Sequence, residues 1–109
     1  MAFGGFRTLW VFALFDLPVD TRQARKNYVL FRKRLLEDGF VMLQYSVYAR
    51  HCPSEENAQV HAKRVRAALP PDGEVRILTL TDHQFGRMQV FRGRIRRRTE
   101  QPPEQLAFF

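Results

Sequence analysis

A chain of 109 residues makes one small domain with a modest core, and its single cysteine, Cys52, excludes an internal disulfide framework. Eighteen Lys+Arg against 11 Asp+Glu leave a formal charge of +7 with no acidic tract to offset it, which points to a polyanionic partner. No apolar run reaches membrane length and no secretory signal is read, so a cytoplasmic protein without a membrane partner is expected.

Met1–Arg7 reads as a lead-in with Gly4-Gly5. Leu9-Trp10-Val11-Phe12-Ala13-Leu14-Phe15 is apolar without a break and rich in branched and aromatic residues, the pattern of a central strand buried on both faces. It stops at Asp16, followed by Leu17-Pro18. Asp20 with Gln23 resembles a capping box, and Ala24, Tyr28, Phe31 and Leu35 then recur on one helix face, ended by Gly39. The other face carries Arg22, Arg25, Lys26, Arg32 and Lys33.

Phe40–Arg50 is strand-like, as one long strand or two short ones turned at Gln44-Tyr45-Ser46. Ser54, with Glu55 and Glu56 behind it, opens a second helix whose apolar face is Ala58, Ala62, Val65 and Leu69. Pro70-Pro71-Asp72-Gly73 stops it, and Val75, Ile77, Leu78 and Leu80 mark the last strand of the body. Thr81-Asp82 reads as a cap over a short turn, Gln84–Met88. Arg87, Arg92, Arg94, Arg96, Arg97 and Arg98 follow with no acid among them, then the extended Gln101–Gln105 and an apolar end, Leu106–Phe109, expected to dock on this chain or another.

With the middle segment split, the order is βαββαβ: an α+β, ferredoxin-like fold with one antiparallel sheet, two helices and an extra C-terminal strand or tail. We place the ferredoxin-like domain at 1–93 and a basic, Pro-containing tail at 94–109.

Asp16 is the candidate site residue, because a carboxylate at the end of a buried strand emerges on a rigid scaffold. In a basic chain that suggests metal and phosphate chemistry; the plain alternative is a turn aspartate. Fifteen of the 18 basic residues are Arg, whose forked guanidinium suits phosphate, although a GC-rich genome gives the same bias. The candidate nucleic-acid contacts are Arg22, Arg25, Lys26, Arg32, Arg94, Arg96, Arg97 and Arg98. None of His51, His61 and His83 has a metal-binding spacing, and Cys52 reads as a small apolar loop residue.

Three segments, taken in order, resemble the CRISPR-associated protein 2 family, also described as an endoribonuclease family. They are Phe15-Asp16-Leu17-Pro18, Gly39-Phe40 leading to Gln44-Tyr45-Ser46-Val47-Tyr48, and Gly73–Leu78 followed by Leu80–Phe85. The Arg-rich stretch and the Pro-Glu-Gln-Leu tail resemble the type II branch. The resemblance implies a homodimer with each Asp16 facing its copy, a hairpin turn at Gln44–Ser46, and Asp16 as ligand of Mg²⁺ or Mn²⁺ where members are nuclease-active. It also implies an acquisition complex in which the dimer sits between integrase dimers and holds protospacer duplex DNA.

One Asp16 per chain is a thin inventory for phosphodiester cleavage, which commonly uses two metals in a richer carboxylate cage. A scaffold for duplex DNA is therefore the preferred reading. A metal-dependent endonuclease cutting RNA or DNA through Asp16 is the alternative, and a toxin-like ribonuclease of the virulence-associated type is a third.

Overall fold

The computed structural model describes residues 8–103. Its elements run β1 (Leu9–Asp16), α1 (Arg22–Glu37), β2 (Val41–Gln44), β3 (Val47–Cys52), α2 (Glu55–Ala67), β4 (Glu74–Thr81), α3 (Asp82–Gly86), β5 (Val90–Arg92) and β6 (Ile95–Arg97). The first four strands form one antiparallel sheet in the order β2-β3-β1-β4, which is the ferredoxin-like arrangement; β5 and β6 form a separate two-stranded ribbon.

The unbroken apolar run takes a central position because it must be covered on both sides. Its odd residues, Leu9, Val11, Ala13 and Phe15, pack with Phe31 and Leu35 of α1 and Ala58 and Val65 of α2. Its even residues, Trp10 and Phe12, meet Ala49 and Phe85 on the other face. Among the described residues the short α3 covers part of that second face, with Phe85 stacked on Trp10 at 3.9 Å, and Glu100, Gln101 and Pro103 border a depression there beside Trp10, Val41 and Ala49. Val41 and Leu78, which register places beside Ala49 and Phe12, remain 51% and 46% exposed there.

The middle segment is two strands. Its turn contains Ser46 at φ +62°, and the Phe15 amide donates to the Ser46 carbonyl at 3.0 Å. Ser54 caps α2 by accepting from the Asn57 amide, and Thr81 with Gln84 completes a capping box on α3. The cap of α1 differs from the expected one. Thr21 accepts from the Ala24 amide at 3.0 Å, while Gln23 Nε2 donates to Asn27, so Asp20 is not the cap. Leu69, expected on the buried face of α2, lies beyond the helix end and is 47% exposed. Cys52 ends β3 rather than lying in a loop; burial raises its thiol pKa against the opposing Arg50 charge.

Asp38 locks the helices together. Its carboxylate contacts His61 Nδ1 and accepts from Arg64 Nη1, each at 2.7 Å, and its carbonyl accepts from Arg50 Nε at 2.8 Å. Burial pushes the Asp38 carboxyl up, but the hydrogen bonds and charges of His61 and Arg64 outweigh it and hold the pKa below the ordinary 3.8. This stabilisation is present above that ordinary value and is lost as pH falls through the lower folded value. Asp38→Ala leaves the buried His61 without its partner and is expected to cost about 1–3 kcal/mol at neutral pH. Urea denaturation should show that loss, together with a shallower acid limb below the ordinary carboxyl pKa.

Candidate metal and nucleic-acid sites

Asp16 is the one exposed residue of β1, at the point where the strand leaves the core. Strand alternation puts its side chain on the same face as Trp10, Phe12 and Leu14, opposite α1 and α2. The sheet end around it is tightly built. On one side the β2–β3 turn is tied to Phe15. On the other, Gly73 leads into β4 at φ +95°, where a Cβ would lie 2.8 Å from the Asp16 carbonyl oxygen and 2.7 Å from Leu17 Cδ2. Gly73 therefore sets the backbone position of Asp16 as well as stopping the preceding segment.

Register adds a second acid. Asp16 pairs with Glu74, so the two side chains leave the same face of neighbouring strands. Glu74 Oε1 accepts from Arg76 Nη2 at 2.9 Å, which brings a guanidinium to the same edge. Sequence inspection missed Glu74, since nothing local shows which β4 residue lies opposite Asp16. Two exposed carboxylates offer hard oxygen donors of the kind Mg²⁺ or Mn²⁺ accepts alongside water and phosphate oxygens. Among the described residues no group of three or more His, Cys, Asp or Glu side chains is placed to hold a metal.

The histidines belong elsewhere. His61 is held by Asp38, and His51 packs edge-on to Trp10 at 5.0 Å. Burial, reinforced by the Arg50 charge and opposed by Asp82, lowers the His51 pKa and favours its neutral form. Asp82 starts α3 and accepts from Trp10 Nε1 at 2.8 Å.

The basic residues fall into separate groups. Arg22, Arg25 and Lys26 rim a shallow depression of about 510 Å³ on α1, together with Val29, Leu30 and Lys33. Arg25 Nη1 donates to the Val19 carbonyl, and Arg32 Nε donates to the Tyr48 hydroxyl at 2.7 Å. Arg94 lies in the ribbon turn beside Gly93, Arg96 and Arg97 lie on β6, and Arg98 follows; all four are exposed. Arg96 pairs with Phe91 and Arg97 with Val90, so the ribbon presents guanidinium groups on both faces. Arg96, Arg97 and Arg98 also line a polar depression of about 480 Å³ next to Met88 and Gln101. α1 covers one face of the sheet, whereas the ribbon departs from α3 on the other. Leu106–Phe109 lies outside the described residues.

The family whose description is CRISPR associated protein Cas2 matches residues 9–88, the strands and helices that position Asp16. The chain belongs to this family. Among its relatives, the CRISPR-associated endoribonuclease Cas2 of Parvibaculum lavamentivorans is 61% identical over 101 residues, covering 93% of this chain and 100% of the relative. The protein of the same description from Flavobacterium psychrophilum is 48% identical, covering 95% and 90%. CRISPR-associated endoribonuclease Cas2 2 of Rhodospirillum rubrum is 41% identical, covering 96% and 97%. The Cas2 match extends over β1 to α3 and stops before the ribbon. No described helix is long and apolar enough to cross a membrane.

Gly73→Ala should cost about 1–3 kcal/mol, because it combines positive φ with close backbone contact. Thermal unfolding would report the loss, and displaced amide resonances at Asp16 and Leu17 would show that the change reaches the candidate site.

Proposed function

We propose that the chain acts as a homodimeric nucleic-acid-binding subunit of the CRISPR spacer-acquisition machinery, bridging integrase dimers and holding protospacer duplex DNA. The observation that carries this reading is the ribbon. Arg92, Arg94, Arg96, Arg97 and Arg98 are exposed, and none joins an ion pair among the described residues. Such guanidinium groups suit phosphate backbone without reading sequence. Doubling the chain doubles its charge of +7 to about +14, which strengthens attraction to a polyanion.

The sheet face that α3 covers only in part supports the dimer. Exposed Val41 and Leu78 extend an apolar surface from Phe12 and Ala49, and a second copy would bury it isologously. In that arrangement the Asp16 carboxylates lie on the facing surfaces. The Arg-rich ribbon and the Pro-Glu-Gln-Leu segment favour assignment to type II systems.

A metal-dependent endonuclease acting on RNA or DNA is the second reading. It draws on the relatives described as endoribonucleases and on the Asp16–Glu74 pairing. Asp16, assisted by Glu74, would hold Mg²⁺ or Mn²⁺, which when bound polarises a phosphoryl oxygen. The chain's own part is to hold the carboxylates at a rigid sheet end with Arg76 close by. The toxin-like ribonuclease reading draws no support from the family match.

Duplex binding across a salt series, with cleavage of RNA and DNA in Mg²⁺ or Mn²⁺, tests these readings on wild type and Asp16→Asn. Sedimentation checks that both proteins are dimers. Salt-sensitive duplex binding that survives Asp16→Asn, without cleavage by either protein, is the expected outcome. Metal-dependent cleavage lost only in Asp16→Asn would establish the nuclease reading instead. Reversing Arg96, Arg97 and Arg98 to Glu should weaken duplex binding and flatten its dependence on log salt by about 2–3, since each lost phosphate contact contributes about 0.9. An unchanged slope would remove the ribbon from the interface.

A further inference from the structure

We propose that Tyr45 is a stacking platform for an unpaired nucleobase, set at the Asp16 end of the sheet and served by the α1 cations Arg25 and Arg32. The proposal rests on the nucleic-acid reading above and adds to its duplex a single-stranded or locally unpaired segment.

Tyr45 is 74% exposed in the β2–β3 turn. Such turns are usually built from small or polar residues that tolerate solvent and unusual backbone angles. Here a large ring is held out from the surface on a fixed support. The Tyr28 ring lies nearly parallel to it, at a centroid distance of 6.3 Å and an angle of 22°. Tyr28 in turn meets Phe15 edge-on at 6.0 Å, so three aromatic rings lead outward from the core. The turn backbone is held too, by Ser46 at φ +62° and by its carbonyl on the Phe15 amide. With Tyr28 behind it, the outer face of Tyr45 is open to solvent.

Two α1 cations are candidates for a bound strand's phosphates. Arg25 and Arg32 lie three residues before and four after Tyr28, a spacing that brings them to the exposed margin of the Tyr28 face rather than to the opposite face expected from the sequence. Each spends one N–H locally, on the Val19 carbonyl and the Tyr48 hydroxyl. Those bonds fix the guanidinium groups and leave further donors for phosphate. Aromatic faces interleaved with Arg are the means by which single strands are bound without sequence reading. A duplex keeps its internal base faces stacked on one another and has only its terminal pairs to offer Tyr45. Tyr45 packs toward α1 and Asp16 points to the opposite face, so the two lie at one end of the sheet on different sides.

The test measures binding of a short single-stranded oligonucleotide, and of a duplex of the same sequence, to the full chain in chelator, so that cleavage plays no part. Tyr45→Ala is expected to weaken single-strand binding about 5- to 100-fold while duplex affinity holds; Tyr45→Phe, which keeps the ring, should stay within about twofold of wild type. Tyr45→Trp gives a direct reading. The only native tryptophan, Trp10, is 3% exposed, so quenching of the added emission by the oligonucleotide reports stacking at position 45. The proposal is overturned if Tyr45→Ala binds the single strand as wild type does, or loses single strand and duplex equally. Dissociation of the Tyr45→Ala dimer on sedimentation would assign Tyr45 to a protein interface and overturn it as well. Wild type that binds neither oligonucleotide would bring down the nucleic-acid reading itself, whereas intact duplex binding with an inert Tyr45 brings down this proposal alone.

Discussion

Burial of β1 on both faces is the constraint from which the rest of the molecule follows. Val11 and Ala13 are wholly inaccessible, and Trp10 and Phe12 are 3% and 5% exposed. At roughly 1.5–3 kcal/mol for each large side chain removed from water, this one strand supplies a substantial share of the hydrophobic stabilisation of a small domain. Such a strand requires a neighbour on each edge, hence β3 and β4, and a layer on each face. Helices α1 and α2 supply one layer in full. The short α3, through Phe85, supplies only part of the other, and that shortfall leaves Val41 and Leu78 exposed on the second face.

The same strand determines where chemistry can occur. It carries a carboxylate out of the core at Asp16, on backbone held between Gly73 and the Ser46 turn. Glu74 stands opposite and Arg76 beside it. This sheet end holds more charge than a lone aspartate, yet it remains sparse beside the carboxylate cages of two-metal nucleases. The cations, by contrast, are abundant and divided. Those on α1 rim an apolar floor of Val29 and Leu30, while those of the ribbon are extended and free of ion pairs among the described residues. The two groups lie on different sides of the sheet, so one protomer does not merge them into a single patch.

The Asp38 cluster shows how closely polar and apolar order are joined in this fold. One residue at the end of α1 binds α2 through His61 and Arg64, and β3 through Arg50. It ties the C-terminal end of α1 to both neighbours on the face that the central strand must bury.

Much of the architecture was legible in the residues themselves. The unbroken run from Leu9 to Phe15, the helix face of Tyr28, Phe31 and Leu35, the caps at Ser54 and Thr81, and the emergence of Asp16 all follow from periodicity and local hydrogen bonding within a few positions. Where two adjacent residues compete for one role, local reasoning failed: Asp20 and Thr21 both make good caps, and the helix geometry chose Thr21. Whether 40–50 was one strand or two was equally undecided, because β composition does not distinguish them until Phe15 claims the Ser46 carbonyl. By itself the sequence determined which stretches had to be buried and where a carboxylate left the core, since those follow from solvent avoidance along a short span of chain. Only the tertiary structure decided that Glu74 stands opposite Asp16, that Gly73 abuts its carbonyl, and that Tyr28 supports Tyr45. Each of these depends on the register between segments distant in sequence, which the packing of the whole sheet sets and no local pattern encodes.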